Sequence, residues 1–146
     1  MSDRRPVSRK RIKDLLVASV RYRGRYEECG DYFSKLEGQV KEQICGPAFC
    51  LYTDQVGEQG VDIECCFPVR QPVEVGEVKS RVLVGGDVLA ITHYGPYRTL
   101  GESWEALFDY IEGHNIRVKG PRREIYLQDS PDGQVTELQV PWEKQA

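Results

Sequence analysis

The chain has 146 residues, 40% of them hydrophobic and 29% charged, with a net charge of −3. That is enough chain to bury a core without disulfide or metal staples, and the balance excludes both a disordered polymer and a protein that binds nucleic acid with its whole surface. No apolar run approaches the ~18 residues of a membrane helix, and no signal-type segment follows the basic N-terminus, so a cytoplasmic protein is expected. Residues 1–13 carry six basic side chains and one acidic one, and read as a flexible, solvated tail ahead of one domain over 14–146.

In chain order, the β-branched run 15–23 (LLVASVRYR) predicts a strand. Cys29, Phe33, Leu36, Val40 and Ile44 then recur at helical spacing, and Gly46-Pro47 ends that helix. Strands are expected over 48–53 and 61–67, joined by a loop over 54–60. A proline-punctuated crossover over 68–78 leads to a strand at 79–84, and Gly85-Gly86-Asp87 turns the chain into another at 88–94. Leu100, Trp104, Leu107, Phe108 and Ile111 mark a second helical face, with Thr99 and Glu102 spaced as a capping box. Strands at 124–128 and 135–140, joined by an Asp132-Gly133 turn, complete the chain.

The second half repeats the first. Gly24 and Gly95, Tyr26 and Tyr97, Phe33 and Trp104, Leu36 and Leu107 are all 71 residues apart. Gly46-Pro47 and Gly120-Pro121, like Tyr52 and Tyr126, are 74 apart; Glu64 and Glu137, like Pro68 and Pro141, are 73 apart. The drifting offset points to an internal duplication. The expected fold is therefore α+β: two βαββ repeats, over about 14–78 and 79–146, pairing through their sheets around a central ligand cleft.

Five cysteines (29, 45, 50, 65 and 66) form an odd set without a C-x-x-C. Cys65 and Cys66 would point to opposite faces of a strand, so they read as small reduced hydrophobes, and no metal or cofactor is expected. Gly95 to Gly101 lacks the Gly-Lys-Ser/Thr of a phosphate loop.

Alternation on the third strand of the second repeat puts Glu124, Tyr126 and Gln128 on one face and Ile125 and Leu127 on the other. Assigning the apolar pair to the helix side leaves Glu124 and Tyr126 on the opposite face, towards the first repeat, where Cys50 and Tyr52 match them. Burial favours a neutral carboxyl, whereas a bound cation favours the ionised form, and tyrosine rings add cation–π attraction of ~0.5–2 kcal/mol each. The competing reading makes Glu124 a strand-edge residue salt-bridged to Arg122 or Arg123. His93 is a candidate at the end of the cleft, Trp104 is core or cleft floor, and Trp142 is a lid or packing plug.

The set His93-Tyr94-Gly95-Pro96-Tyr97, Trp104, Leu107, Gly120-Pro121, Glu124-Ile125-Tyr126-Leu127 and Thr136-Glu137-Leu138-Gln139-Val140-Pro141 resembles the GyrI-like small-molecule-binding domain, the effector-binding part of AraC- and MerR-type multidrug regulators. The likeness is strongest over 88–141, while the first repeat departs from it with Tyr22-Arg23-Gly24-Arg25-Tyr26. The resemblance implies paired βαββ modules with a key late-strand acid, which by position is Glu124. Relatives bind cationic aromatic drugs or dyes, some stand-alone members resemble hydrolases of cyclopropane-bearing genotoxins, and the founding member inhibits DNA gyrase. Residues 1–13 are too short for a helix-turn-helix, which argues against a transcription factor and a nucleic-acid partner.

The expected function is a stand-alone binding protein for apolar, aromatic, often cationic small molecules. Its candidate ligand-binding residues are Glu124, Tyr126, Tyr52, Cys50, Tyr94, Tyr97, Trp104, Phe108, Tyr22 and His93. A second expectation is a hydrolase, with Glu124 as general acid or base and Tyr126 donating a hydrogen bond. A third is a gyrase-inhibitor-like module that binds a protein partner.

Overall fold

The computed structural model describes residues 6–57 and 60–146. Two compact units divide the chain: Lys13–Gly85, and Gly86–Ala146 together with the N-terminal strand β1 (Ser8–Ile12). Each is an antiparallel sheet with one α-helix, so the fold class is α+β.

In the first unit, the β-branched run becomes β2 (Leu15–Gly24). A single 3-10 turn (Tyr26–Glu28) leads into α1 (Cys29–Val40). The helical spacing extends to Ile44, but α1 gives way to a 3-10 turn at Lys41–Gln43, and Ile44 instead bridges Val69. Strands β3 (Phe49–Gly57), β4 (Gly60–Pro68) and β5 (Lys79–Leu83) complete a sheet of order β3-β4-β2-β5. Part of the loop expected over 54–60 is strand: past a bulge between Tyr52 and Val56, pairing resumes at Val56↔Val61 and Gly57↔Gly60. Residues 58 and 59 lie outside those described. β5 belongs to this unit although the repeat boundary at 79 assigned it to the second, because it pairs along β2 from Leu15↔Leu83 to Ser19↔Lys79.

The apolar face of α1 covers this sheet. Leu36 and Val40 are fully buried, Phe33 meets Phe67 edge-on at 5.8 Å, and Tyr32 stacks on Tyr22 at 4.0 Å. The opposite face holds Glu64, 5% exposed, which accepts hydrogen bonds from Ser19 Oγ at 2.6 Å and Arg81 Nη2 at 2.6 Å. Burial opposes ionisation of Glu64, but hydrogen bonds from Arg81 and Ser19, with the charges of Arg81 and Arg21, outweigh it and hold the carboxyl below its ordinary value. A folded-state value below the unfolded one gives stability that is present above about pH 4.3 and lost as pH falls through the folded value. Urea midpoints measured across acid pH are expected to drop over that range in the wild type and to flatten in Glu64→Gln, which at neutral pH loses about 1.5–3 kcal/mol of charge-assisted hydrogen bonding.

The second unit contains β6 (Gly86–Tyr94), a 3-10 turn (Tyr97–Thr99), α2 (Leu100–Glu112), β7 (Ile116–Val118), β8 (Arg122–Ser130) and β9 (Gly133–Lys144). Its strands run β1-β6-β9-β8, with β7 paired to the end of β9 through Ile116↔Lys144. Leu100 and Leu107 of α2 bury themselves against Leu89, Ile91, Ile116, Leu138 and Val140. Each fully buried leucine contributes roughly 1.5–3 kcal/mol.

The segment 8–12, expected within a solvated tail, is the strand β1 paired with β6. Its basic side chains have partners that a local reading does not reveal. Arg9 Nε donates to Tyr110 Oη at 2.9 Å and its guanidinium lies 4.9 Å from the Trp142 ring centroid, while Lys10 pairs with Glu137 at 2.5 Å. Trp142 is thus a packing element under the N-terminal strand.

The two units share one internal register. Val20 pairs with Cys65, which pairs with Cys50; Ile91 pairs with Leu138, which pairs with Glu124. One row on, Tyr22–Ile63–Tyr52 corresponds to His93–Thr136–Tyr126. Each correspondence follows the sequence offsets of 71, 73 and 74. Among the described residues no helix is long and apolar enough to cross a membrane.

Candidate functional site

The register fixes where Glu124 points. Glu124 lies directly across from Leu138, and Leu138 from Ile91, both core residues with Leu107 of α2. Residues paired directly across an antiparallel sheet share a face, so Glu124 and Tyr126 lie on the side covered by α2. This reverses the expectation that Ile125 and Leu127 face the helix; Leu127 is 49% exposed. The physical reason is that the burial of Glu124, 4% exposed, is compensated by hydrogen bonding that includes donors on α2 and on its own strand. Trp104 Nε1 on α2 donates to Oε2 at 2.8 Å, and Tyr126 Oη donates to Oε1 at 3.0 Å.

Within the second unit, the rings of the two donors each meet a further ring. Tyr97 meets Tyr126 edge-on at 5.6 Å, and Trp104 and Phe108, one helical turn apart, lie with centroids 5.8 Å apart at an interplanar angle of 22°. Tyr97, Trp104, Phe108 and Tyr126 are each only half-buried, so the rings combine packing with some accessible surface. Arg122, two residues before Glu124 on β8, sets its guanidinium 4.8 Å from the Trp104 centroid and 5.5 Å from that of Phe108. From sequence Arg122 is only a candidate ion-pair partner for Glu124. The i, i+2 spacing that places Arg122 on the face of Glu124 was the available signal, and the aromatic pair it covers comes from a different element.

His93 is 2% exposed, in the row that runs through Thr136 to Tyr126. Its Nδ1 lies 2.7 Å from Ser103 Oγ and its Nε2 lies 2.9 Å from Thr99 Oγ1 and 3.3 Å from the Pro96 carbonyl. The Thr99 hydroxyl donates to that carbonyl at 2.8 Å, so the imidazole proton is assigned to Nε2, which then donates to Thr99. Thr99 therefore makes no capping bond to the start of α2, contrary to the capping-box expectation, because its hydroxyl ties His93 to the turn after β6. Gly95 in that turn has φ +142, a conformation that favours glycine.

The remaining candidates lie elsewhere. Tyr94 is 64% exposed and, by alternation from His93, points to the face of β6 away from α2. Cys50, Tyr52 and Tyr22 are buried in the first unit, on the face covered by α1, with Tyr26 and Tyr52 at 5.9 Å between ring centroids and Tyr22 Oη donating to the Arg25 carbonyl at 2.9 Å. Burial, followed by the nearby Cys29, Cys65, Cys50 and Glu28, pushes the Tyr22 phenol above its ordinary value. Among the described residues no two cysteines form a disulfide; Cys50, Cys65 and Cys66 are buried and Cys45 is exposed. Among the described residues no three His, Cys, Asp or Glu side chains gather as a metal-ligand group.

Comparison with known proteins places the fold. Over 96% of this chain and 98% of that one, the fold matches the EcmrR C-terminal domain with a TM-score of 0.85 at 22% identity. SAV2435, solved bound to tetraphenylphosphonium, matches with a TM-score of 0.71 at 10% identity over 94% of both chains. A hydrolase from Listeria innocua matches with a TM-score of 0.68 at 14% identity, over 96% of this chain and 93% of that one. At such identities the likeness establishes the fold. No curated protein sequence matches the chain. Residues 5–143 match the description of the GyrI-like small-molecule binding domain, and the chain belongs to the GyrI-like family.

Proposed function

We propose that this protein binds apolar, aromatic, positively charged small molecules, as in multidrug or xenobiotic recognition or sequestration, and that Glu124 is the charge it binds them with. The observation that carries the reading is a nearly buried carboxylate bonded by Trp104 and Tyr126, whose rings in turn meet the half-buried rings of Phe108 and Tyr97. An organic cation whose charge is spread over rings brings no hydrogen-bond donor, so it need not displace either bond. It gains from Coulomb attraction at short range and from ring faces, each worth ~0.5–2 kcal/mol. Ring faces and one charge make little directional demand, so ligands of several shapes can share the site. The SAV2435 complex supports the ligand class through its tetraphenylphosphonium.

Titration with tetraphenylphosphonium is expected to change tryptophan emission saturably, with one cation bound per chain. Absence of saturable binding would refute the reading. Incubation with a cyclopropane-bearing alkylator, followed by mass spectrometry, is expected to show at most one equivalent retained; many turnovers would replace the reading with a hydrolase in which Glu124 acts as acid or base.

A further inference from the structure

We propose that Arg122 is a built-in competitor for the cation site, its guanidinium occupying the aromatic surface of Trp104 and Phe108 that a cationic ligand needs. The inference deepens the proposed function and rests on it. One indole serves two charges here. The Trp104 edge donates to Glu124 at 2.8 Å, and its face lies 4.8 Å from the Arg122 guanidinium carbon, which also lies 5.5 Å from the Phe108 ring. Trp104 and Phe108 are tilted by only 22°, so together they form one aromatic platform with Arg122 over it. A guanidinium is planar, delocalised and weakly hydrated, and so resembles the ligands expected to bind.

The arrangement gives Arg122 a role in specificity. A compact ammonium offers the platform only the charge that Arg122 already supplies, so it gains little by displacing it. A large aromatic cation adds ring area against Trp104, Phe108 and Tyr97, which the arginine side chain cannot match. The site therefore favours cations that carry rings, and its affinity for all cations is held below what Glu124 and the rings would give alone.

The test is tetraphenylphosphonium titration of the full chain carrying Arg122→Gln or Arg122→Met, the latter keeping an apolar stem over the rings. Lys119→Gln is the control, because it removes the same charge at an exposed position. Removing one cation–π competitor is expected to tighten binding about two- to thirty-fold in both Arg122 variants, and by less than twofold in the control. Wild-type binding with unchanged or weaker affinity in a folded Arg122 variant would overturn the competitor while leaving the Glu124 reading in place. Equal tightening in Lys119→Gln would also overturn it, since the effect would then be one of net charge. If neither wild type nor variants bind, the reading of the site fails and the competitor fails with it.

Discussion

Replacing Glu124 with glutamine is expected to weaken tetraphenylphosphonium binding by about ten- to a hundredfold, because the charge lost acts at short range in a partly dehydrated setting. At ~5 Å and an effective dielectric constant near 20, a unit pair interacts by roughly 3 kcal/mol, and part of that is offset by desolvation. In Glu124→Gln the amide oxygen can still accept from the Trp104 N–H while the amide NH2 donates to the Tyr126 hydroxyl oxygen, which accepts as readily as it donates. Two charge-assisted bonds then become neutral ones, which is expected to change stability by only about 1 kcal/mol, visible as a small shift in the urea midpoint. Tyr126→Phe provides the contrast, since it removes one donor to Glu124 and keeps both the charge and the ring. Its affinity loss should be well below that of Glu124→Gln. An unchanged affinity in folded Glu124→Gln would remove the electrostatic basis of the proposed function.

Leu107→Ala is expected to lower stability by about 2–5 kcal/mol. Leu107 is fully buried at the centre of the face that α2 turns to its sheet, together with Leu100, Leu89 and Leu138. Leu36 of α1 is likewise fully buried and stands 71 residues earlier, so Leu36→Ala should cost a similar amount. Urea unfolding of both variants checks this. A change within about 0.5 kcal/mol for either, the range of ordinary surface substitutions, would contradict the packing assigned to that helix.

Both helices were legible because their apolar residues recur with the helical period over several turns, and most strands because β-branched runs end at glycine or proline. The repeat offsets match positions of one half with positions of the other, and the strand pairings keep that correspondence, as in Ile91–Leu138–Glu124 against Val20–Cys65–Cys50. β1 was hidden because its sequence, SRKRI, has no apolar alternation, and its support comes from Tyr110, Trp142 and Glu137, about a hundred residues or more away. β7 has only three residues, too few to show a period.

The site was half legible. Alternation grouped Glu124 with Tyr126 correctly, but hydrophobicity chose the wrong face for them. A short strand with one buried acid looks inverted unless the donors on neighbouring elements are known, and the Trp104 indole becomes a neighbour of Glu124 only through the packing of α2. The same packing brings Arg122 over the Trp104 and Phe108 rings, a contact that no local pattern announces. His93 had the residue type of a chemical group, yet Ser103, Thr99 and the Pro96 carbonyl surround both of its nitrogens.

A crystal structure of the protein with tetraphenylphosphonium decides whether Glu124 is the charge that holds the ligand. The cation is expected within about 6 Å of the Trp104 and Tyr126 ring centroids, the reach of a cation–π contact, with the Glu124 carboxylate as its nearest anion and the Arg122 guanidinium displaced from the indole. A cation bound instead beside Glu64, Arg21 and Arg81, or bound with Glu124 outside that reach, would contradict that role.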